Sequence, residues 1–515
     1  MPPPSTTPAD DSLIGALDLG SNSFHLILGR LVDEQIVIID RLREPVRMGA
    51  GLGRDRTLDE ATQVRALECL ARMGERLRGV APDRLRIVGT NTLRRARNAR
   101  RFVARAEEVL GHEIEILPGL EEARLIYLGV AHSITGDPDP RLVIDIGGGS
   151  TEVILGRSFD IVFANSLAMG CVAFASKYFP NGEITEAAFE RAVLKARRET
   201  VPVAESYVEH GFNRVVGSSG TARAIERILR ENGWTKGGID RAGLARLRRE
   251  VLRAGRVNAL DLPGLSDDRK PVLASGLAVL LGLVEELGIE RIETTSGAMR
   301  EGLLYDLIGR LRHDDLREHT IARLEQRYAV DLAQSRRVER CARKLVGAGA
   351  GAALGLDSES LRFLSWGARL HEVGQALRYG GYHRHGAYLI AESHLPGFSE
   401  DDQNLLSLLV LLHRRRLDLV LVEERAPARV EEALALALVL RLAVVLCRAR
   451  GATPVPAAGL TTDAGDPHRL VLTLENGLLE RAPLLRADLE SEIEAFGRVG
   501  FDLAVQDATR PTDAK

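Results

Sequence analysis

Residues 141–153 read Arg-Leu-Val-Ile-Asp-Ile-Gly-Gly-Gly-Ser-Thr-Glu-Val, and this stretch decides the fold. A short apolar run leads through Asp145 into three glycines, and a second apolar run follows. This pattern predicts a β-hairpin whose loop lets an anion approach the backbone, because glycine has no obstructing side chain. Residues 13–28 repeat the arrangement, with Asp18 before a Gly/Ser loop. Two such hairpins predict a duplicated domain with a phosphate site between the copies.

The composition is that of a multidomain globular protein. The chain has 515 residues, of which 45% are hydrophobic, and this length corresponds to roughly three or four domain-sized units. The net charge of −3 argues against a general nucleic-acid binder, so no nucleic-acid partner is expected. The basic residues are mostly arginine, which is typical either of a GC-rich genome or of arginine forks that bind phosphate. Both explanations stay open.

The cysteines and the apolar segments bear on the cellular compartment. The four cysteines are scattered without CxxC spacing, so neither disulfides nor structural zinc is expected. Residues 1–11 lack the pattern of a signal peptide. The longest apolar stretch, residues 433–446, is too short to span a membrane and contains Arg441. We therefore expect a cytoplasmic protein without an integral membrane segment, and peripheral membrane association stays open.

The pattern of helices and strands predicts three structured domains between two disordered tails. The tails are residues 1–11 and 507–515. Residues 12–136 and 137–310 alternate between strand and helix, which predicts two α/β lobes with a cleft between them. Residues 315–506 are mostly helical. Strands are predicted at residues 36–39, 85–88, 113–117, 214–216, 291–295 and 469–474. Helices are predicted at residues 58–77, 121–131, 221–230, 242–254, 334–346, 358–373, 401–413, 430–447 and 485–496.

Three glycine- and serine-rich loops are candidates for binding phosphate. Their backbone N–H groups and short hydroxyls can donate to phosphate oxygens, and the third loop lies at a helix N-terminus. Any one of them alone can be an ordinary tight turn. A basic turn adds a candidate guanidinium clamp. The candidate residues are Gly20, Ser21, Asn22, Ser23, Arg94, Gly147, Gly148, Gly149, Ser150, Thr151, Gly217, Ser218, Ser219 and Gly220.

Acidic residues accompany these loops. Asp18, Asp145 and Glu152 lie next to the predicted phosphate site, and carboxylates beside phosphates predict an intervening Mg²⁺. Glu121 and Glu122 begin a predicted helix directly after a strand. The helix dipole alone favours acidic residues there. If the strand end points into the cleft, one of the pair can deprotonate a water for attack on a terminal phosphate.

Together these motifs resemble the exopolyphosphatase / guanosine pentaphosphate phosphohydrolase family. The resemblance implies two actin-like (ribonuclease H-like) lobes, Glu121 as the general base, and Asp145 and Glu152 as metal ligands. It also implies release of orthophosphate from a chain end, and a homodimer. The matching segments are Ala16-Leu-Asp18-Leu-Gly-Ser-Asn-Ser-Phe-His25, Gly119-Leu-Glu121-Glu-Ala-Arg124, Val143-Ile-Asp145-Ile-Gly-Gly-Gly-Ser-Thr-Glu152, Met169-Gly-Cys171, Gly217-Ser-Ser-Gly-Thr221 and Ala298-Met-Arg300-Glu-Gly302.

The substrate is open between two branches of this family. The third glycine, Gly149, is similar to the exopolyphosphatase branch, whereas the other branch often has alanine there. We therefore expect processive hydrolysis of inorganic polyphosphate, with conversion of guanosine pentaphosphate to the tetraphosphate as the alternative. A sensor without turnover and an ATP-using kinase are less favoured. Ser296 replaces an acidic residue that the family often carries, so Ser296 is not a predicted site residue.

The helical region resembles an HD-type phosphohydrolase domain. The metal-binding His-Asp doublet of those enzymes is replaced by His371-Glu372, and an upstream histidine is missing. His371 is therefore expected to be a hydrogen-bonded core residue. A basic cluster is predicted to guide a polyanion, namely Arg378, His383, Arg384 and His385. The neighbouring arginine run at residues 414–416 can do the same or can be a solvated helix end.

Overall fold

A computed structural model describes residues 13–32, 35–134, 139–311, 315–347, 349–450, 455–463 and 466–507. The chain divides into two compact units, Met1–Asp315 and Leu316–Lys515, each of which is described by itself. The whole predicted N-terminal tail, residues 508–515 of the predicted C-terminal tail, and most of the turn at residues 136–140 lie outside the described residues. Asp507 ends a strand, so the predicted C-terminal tail begins one residue too early.

The first unit contains two sheets of matching topology. The sheet orders are β3-β2-β1-β4-β5 and β8-β7-β6-β9-β11-β10. In each sheet the first three strands form an antiparallel meander, and two later strands add in parallel. The predicted duplication is thus confirmed. The strands are β1 Leu13–Leu19, β2 Phe24–Val32, β3 Gln35–Glu44, β4 Leu85–Gly89, β5 Glu115–Ile116, β6 Arg141–Ile146, β7 Thr151–Arg157, β8 Asp160–Leu167, β9 Arg214–Gly217, β10 Ile239–Asp240 and β11 Arg291–Thr294.

Helices cover both sheets of the first unit. The parallel strand pairs require crossover connections, and helices supply them. This two-lobe α/β arrangement is the predicted actin-like fold class. The helices are α1 Glu60–Leu77, α2 Asn91–Arg95, α3 Ala99–Leu110, α4 Gly119–Ser133, α5 Cys171–Tyr178, α6 Glu186–His210, α7 Gly220–Glu231, α8 Arg241–Ala254, α9 Lys270–Glu286 and α10 Met299–Leu311.

The register of the two hairpins places their polar residues alike. Asp18 on β1 lies opposite His25 on β2, and Asp145 on β6 lies opposite Glu152 on β7. Directly opposed residues of antiparallel strands project from the same face of the sheet. Each hairpin therefore carries a polar pair on one face, immediately beside its Gly/Ser loop.

Helices α4 and α10 pack against each other at unusually short range. A methyl group added at Gly302 would lie 1.9 Å from the carbonyl oxygen of Leu125, and one at Gly129 would lie 2.1 Å from that of Ala298. The backbones are thus in direct contact. The α10 helix also contacts the first sheet, although its sequence position lies within the predicted second lobe. With α10, at the end of the first unit, the chain thus returns to the first lobe. The exact boundary between the two lobes stays a prediction.

One predicted strand differs in burial from its expectation. The predicted strand at residues 36–39 is apolar from Ile36 to Ile39, a pattern that predicts a buried strand, but it belongs to β3, an edge strand whose side chains alternate between half-buried and exposed. Val37 is 49% exposed and Ile39 is 51% exposed. A continuous apolar run is typical of a buried strand, and here the edge position overrides that pattern.

The second unit is mostly helical, with a three-stranded sheet in the order β12-β13-β14. Its centre is α18, which is buried on all sides. Arg441 on this helix forms an ion pair with Glu492 on α20. No helix among the described residues is both long and apolar enough to cross a bilayer. The elements are α11 Leu316–Arg327, α12 Leu332–Gly347, α13 Ala350–Ala353, α14 Ser358–Leu370, α15 Tyr382–Glu392, α16 Glu400–Leu412, α17 Leu419–Arg425, α18 Val430–Leu446, β12 Ala458–Asp463, β13 Asp466–Leu474, α19 Leu478–Arg481, α20 Pro483–Gly497 and β14 Asp502–Asp507.

Candidate functional site

The three predicted phosphate loops meet at one cavity of about 130 Å³ in the first unit. It lies at the ends of β1 and β6 and at the start of α7. Most of the predicted phosphate-binding residues line it, together with both predicted aspartates. The predicted residues that line the cavity are Asp18, Gly20, Ser21, Asn22, Ser23, Asp145, Gly147, Gly148, Gly149, Ser150, Ser218, Ser219 and Gly220.

The first two loops touch each other across the cavity. A methyl group at Gly148 would lie 2.8 Å from the Ser21 Cβ and 3.2 Å from the Asn22 nitrogen, so the glycine is required for this close approach. The N–H of Gly147 donates to the Ser150 carbonyl over 3.0 Å and closes the loop. In the described part of the chain, the N–H groups of Gly148 and Gly149 donate to no backbone carbonyl. These N–H groups can therefore donate to an anion.

The third loop brings a helix N-terminus to the same cavity. Ser219 is the N-cap of α7 and accepts a hydrogen bond from the Ala222 N–H over 3.1 Å. Ser218 donates to the Asp145 carboxylate over 2.5 Å, which links this loop to the second hairpin. The first turn of α7 adds the positive end of the helix dipole to the cavity.

Three carboxylates, Asp18, Glu122 and Asp145, line the cavity, and a fourth, Glu152, is buried close enough to be affected by them. Burial raises the pKa of Asp18 well above its usual range, and Glu122 and Asp145 raise it further by repulsion. The pKa of Glu152 is raised in the same way, first by burial and then by Glu122 and Asp145. Burial also raises the pKa of Asp145. Mutual repulsion in one buried region favours a cation among these groups.

The residues present fit a magnesium ion held partly by substrate. The Asp18 Oδ1 atom is buried and has no hydrogen-bond partner. This oxygen is therefore available to bind a cation. Among the described residues, no three His, Cys, Asp or Glu side chains converge as a complete ligand set. Magnesium needs no such set, because it often takes one or two carboxylates and completes its shell with water and phosphate oxygens. Asp18 and Asp145 are the nearest candidates to hold it.

The two adjacent glutamates at the start of α4 point in different directions. Successive residues of an α-helix are about 100° apart, so only one of the pair can face the cavity. Glu122 lines the cavity, whereas Glu121 does not. Burial raises the pKa of Glu122 to about 7, against the opposing effect of Arg94. This pKa lies close to neutral pH, where a general base works most effectively.

Glu121 instead belongs to a buried charge network behind the cavity. Its two carboxylate oxygens accept from Arg124 over 2.8 and 2.7 Å, and Arg124 also pairs with Asp306. Asp306 pairs in turn with Arg86 over 2.6 Å. The predicted role of Glu121 as the base therefore conflicts with its position, because both of its oxygens are engaged by a guanidinium outside the cavity lining.

Arg94, Thr151, Gly217 and Glu152 also lie outside the cavity lining. Arg94 donates to the Leu117 carbonyl and lies 3.4 Å from the Glu122 carboxylate, so it positions that carboxylate rather than facing the cavity. Thr151 donates to the Met169 carbonyl. Glu152 is fully buried and accepts from Ser166 over 2.8 Å. Their predicted contacts with phosphate or metal remain predictions.

A second, larger cavity of about 550 Å³ continues from the first. The two cavities share His25, Gly220, Arg223, Arg269 and Arg300. Burial first, and then the arginines around it, lower the pKa of His25 to about 3, so this imidazole is neutral in a strongly positive environment. The arginines that line the larger cavity, which we call the arginine cavity, are Arg41, Arg43, Arg223, Arg227, Arg230, Arg269 and Arg300.

Some of the additional cavity residues lie in or next to sequence motifs, whereas others do not. Arg300 lies inside a quoted family motif, and Arg223 lies in the first turn of the helix after the third loop. Arg269 lies at the N-cap of α9 without any motif around it. Glu122 could have been chosen over Glu121, because an arginine at i+3 from Glu121 indicates an ion pair along the helix surface.

The predicted histidine and arginine residues of the second unit form no metal site among the described residues. His371 is buried, and its Nδ1 hydrogen-bonds the Ala368 carbonyl over 2.7 Å, as expected for a core residue. Within the described ranges, no cluster of potential ligands could hold a metal here. Of the predicted polyanion cluster, His383 and Arg384 line a shared cavity, whereas Arg378 and His385 do not.

Comparisons with known proteins decide the family. A model of the Ppx/GppA phosphatase family matches residues 28–311, and a model of its domain III matches residues 316–493. The chain belongs to the Ppx/GppA phosphatase family. A relative from Photobacterium profundum, a guanosine-5'-triphosphate,3'-diphosphate pyrophosphatase, is 35% identical over 96% of this chain and 98% of its own. A relative of the same name from Vibrio cholerae serotype O1 is 36% identical with the same coverage.

Solved structures of an exopolyphosphatase and of an exopolyphosphatase-like protein support the fold alone. An exopolyphosphatase from Cytophaga hutchinsonii has a TM-score of 0.53 at 22% identity and covers 58% of this chain and 98% of its own. An exopolyphosphatase-like protein has the same TM-score at 21% identity and the same coverage. Membership of the Ppx/GppA family makes this chain a hydrolase that acts on phosphoanhydride bonds.

Gly149, which was expected to favour the exopolyphosphatase branch, has a local reason to be glycine. A methyl group there would lie 2.2 Å from the Asn91 side-chain oxygen, so in this chain alanine would require the Asn91 side chain to move. We expect Gly149→Ala to cost about 1–3 kcal/mol and to displace the loop. Urea denaturation and the KM for substrate measure these two effects. The double variant Gly149→Ala/Asn91→Ala should recover both, and a KM that stays altered in the double variant would contradict this packing explanation.

Proposed function

We propose that this chain removes the terminal phosphate of the 5'-triphosphate of guanosine pentaphosphate and leaves the tetraphosphate. The observation that carries the proposal is the position of Glu122 in a cavity lined by three Gly/Ser loops. Such loops suit the three oxygens of a terminal phosphoryl group, and the carboxylate can accept a proton from an attacking water.

Each group of residues has a role in this proposal. The N–H groups of Gly148 and Gly149 and the first turn of α7 hold the terminal phosphate by donating to its oxygens. Glu122 orients water and takes its proton, and Arg94 holds the Glu122 side chain in place. Asp18 and Asp145 would hold Mg²⁺. When bound, that ion would neutralise charge on the phosphate oxygens.

The choice of guanosine pentaphosphate rests on the relatives and on the arginine cavity. Both relatives named above carry the name of the enzyme that acts on this nucleotide. The arginine cavity continues directly from the phosphate cavity and offers a second anion-binding region. A nucleotide with phosphates on both its 5' and its 3' positions would use both regions. Inorganic polyphosphate is the second candidate, because a phosphate chain could also extend along these arginines.

Removing cationic groups from the arginine cavity tests this use of two regions. Arg230 lines only the arginine cavity, and no described carboxylate pairs with Arg223 or Arg230. We expect Arg230→Ala to lower kcat/KM for guanosine pentaphosphate by about tenfold or more, since a hydrogen bond to a charged group contributes about 1.5–3 kcal/mol. The kcat/KM for GTP, which lacks the 3'-diphosphate, should fall much less.

The matched control is Arg253→Ala, because this side chain is 78% exposed and outside both cavities. Equal losses for GTP and guanosine pentaphosphate in Arg230→Ala would contradict the assignment of the 3'-diphosphate. The substrate itself is tested by phosphate release from guanosine pentaphosphate and from long polyphosphate at matched Mg²⁺. A higher kcat/KM for polyphosphate would replace the first candidate by the second.

A further inference from the structure

Two buried cysteines of the second unit lie side by side in its core. Cys341 is on α12, and Cys447 follows α18 as its C-cap residue. Both belong to the same hydrophobic core, with exposed fractions of 6% and 0%. All four cysteines of the chain are free thiols. Neither the family comparison nor the proposed hydrolysis assigns a role to this pair.

The contacts of the Cys447 sulfur place it beside the Cys341 side chain. This sulfur lies 3.6 Å from the Arg337 carbonyl oxygen on α12, within hydrogen-bonding distance for a thiol. Arg337 lies about one helical turn before Cys341, and side chains on a helix lean towards its N-terminus. The Cys341 side chain therefore covers the turn that the Cys447 sulfur contacts. The two thiols also hydrogen-bond each other.

The backbone around the pair is held in place. The Gln334 side-chain amide on α12 donates to the Cys447 carbonyl over 2.8 Å, and both groups are buried. The Cys447 N–H donates to the Ala443 carbonyl over 3.0 Å at the end of α18. Helices α12 and α18 pack against each other. The fold itself therefore keeps the two thiols together.

The surroundings make the two thiols chemically unequal. The hydrogen bond from the Cys341 thiol lowers the pKa of Cys447. The nearby Arg337 and Arg340 lower this pKa further, against the opposing effect of burial. The same hydrogen bond, followed by burial, raises the pKa of Cys341. Because the thiolate is the reactive form of cysteine, Cys447 is the nucleophile of the pair.

The other two cysteines lack this arrangement. Burial raises the pKa of Cys69 to about 12, and Glu44 raises it further. Burial also raises the pKa of Cys171. In the described part of the chain, neither of them hydrogen-bonds a second thiol. Cys69 and Cys171 are therefore internal references for the reactivity of an isolated, buried thiol.

The pair lies just below the surface of the second unit. Arg340 precedes Cys341 and Arg448 follows Cys447, and both arginines are exposed. A small, uncharged oxidant such as hydrogen peroxide thus has a short path to the sulfurs, because opening of one helix end is enough to admit it.

We propose that Cys341 and Cys447 form a redox-modification site, in which hydrogen peroxide converts the two thiols into a reversible disulfide that joins α12 to the end of α18. The Cys447 thiolate attacks one peroxide oxygen and the O–O bond breaks. The departing oxygen takes up the proton that Cys447 released and leaves as water, so that Cys447 becomes a sulfenic acid. The Cys341 thiol then attacks the sulfenic sulfur, and its proton leaves with the hydroxyl as a second water.

This reaction is balanced and independent of the proposed hydrolysis. The two sulfurs give up two electrons, which reduce one peroxide to two waters, and a dithiol reductant reverses the reaction. The disulfide closes a long loop of the chain, which restricts the unfolded state and stabilises the folded one.

Peptide mapping of the full chain after peroxide treatment tests the site. Trypsin should release residues 341–343 and residues 442–448, which follow and end with arginine. We expect these two peptides to be joined in the oxidised protein and separate after dithiothreitol. Free thiols, measured in denaturant, should fall from four to two per chain. Hydrogen exchange in α12 and α18 should become slower by about tenfold or more, because the disulfide opposes their separation.

Variants identify the role of each thiol. In Cys341→Ala, peroxide should leave a sulfenic acid on Cys447 that dimedone captures, whereas in Cys447→Ala the Cys341 thiol should stay free. Cys69→Ala is the matched control and should form the linked peptide as the unchanged protein does. Melting temperatures verify that the variants are folded, and the mapping of the unchanged protein does not depend on them.

Three results would overturn the proposal. The first is four free thiols after a peroxide treatment that fully oxidises dithiothreitol. The second is oxidation of Cys69 or Cys171 without the linked peptide. The third is a linked peptide that leaves hydrogen exchange in α12 and α18 unchanged, since such a bond would not join the helices more firmly.

Discussion

The substitution Glu122→Gln should lower the rate of phosphate release by about 100-fold to 10,000-fold while substrate still binds. The amide keeps the size of the side chain but cannot accept a proton from water, and general-base catalysis contributes a factor of this size. Steady-state phosphate release gives kcat, and equilibrium binding of guanosine pentaphosphate gives Kd. A loss confined to kcat identifies a group that acts on the reacting water rather than on substrate binding.

The neighbouring glutamate provides a closely matched control for this experiment. Glu121→Gln makes the same chemical change one residue earlier in α4, but it affects the ion pair with Arg124 behind the cavity. We expect Glu121→Gln to lower stability and to retain most of the turnover, measured at a temperature where the variant is folded. A large loss of kcat in Glu121→Gln together with normal turnover in Glu122→Gln would reverse the assignment.

The second large effect is expected at Asp306, the centre of the charge network behind the cavity. Its carboxylate pairs with Arg86 over 2.6 Å, with Arg310 over 3.1 Å and with Arg124. Asp306→Asn would leave two buried guanidinium groups without their full partner, which costs about 3–5 kcal/mol. Urea denaturation measures this loss, and hydrogen exchange in peptides from α4 and α10 localises it.

An exposed acid in the same unit is the control for this variant. Asp267 has a side chain that is 93% exposed, so Asp267→Asn should change stability by about 0.5 kcal/mol or less. Burial opposes ionisation of Asp306, but Arg124, Arg310 and Arg86 lower its pKa well below the usual range. Its contribution is therefore present at neutral pH and is lost only in strong acid, as the pH falls through the lowered pKa. Equal stability losses for Asp306→Asn and Asp267→Asn would contradict a structural role for the network.

The sequence was most informative where local chemistry and periodicity agree. The two Asp-Gly hairpins and their loops are local features, since strand, turn and strand lie within about 15 residues. They lead directly to two sheets of equal order and to one cavity. The amphipathic helices α7 and α8 were likewise predictable, because their apolar residues repeat with helical spacing.

The sequence was less informative where burial is complete or where partners are remote. The α9 helix is apolar almost throughout and buried on nearly all sides, so its residues show no helical period. The α6 helix runs for 25 residues through Pro202, although an interior proline usually marks a helix end. Arg269 joins the cavity through tertiary packing alone. No local pattern encodes such a position.

The choice between Glu121 and Glu122 shows a finer limit of sequence interpretation. Both residues fit the first turn of a helix, and a family motif carries both together. The helix rotation separates them by about 100°, and the partners of each then decide which one faces the cavity. Arg124 at i+3 is visible in the sequence, but Asp306, 182 residues further on, is what fixes Arg124 behind the cavity.

The close crossing of α4 and α10 has a consequence for how this enzyme can vary. At Gly129 and Gly302 the two helices meet through main-chain atoms, which every amino acid shares. Their alignment therefore does not depend on interlocking side chains at that point, and flanking apolar positions can be exchanged without sliding one helix along the other. Gly129 and Gly302 themselves do not tolerate a side chain, because a methyl group at either position would force α10 away from α4, the helix that begins beside the reactive carboxylate.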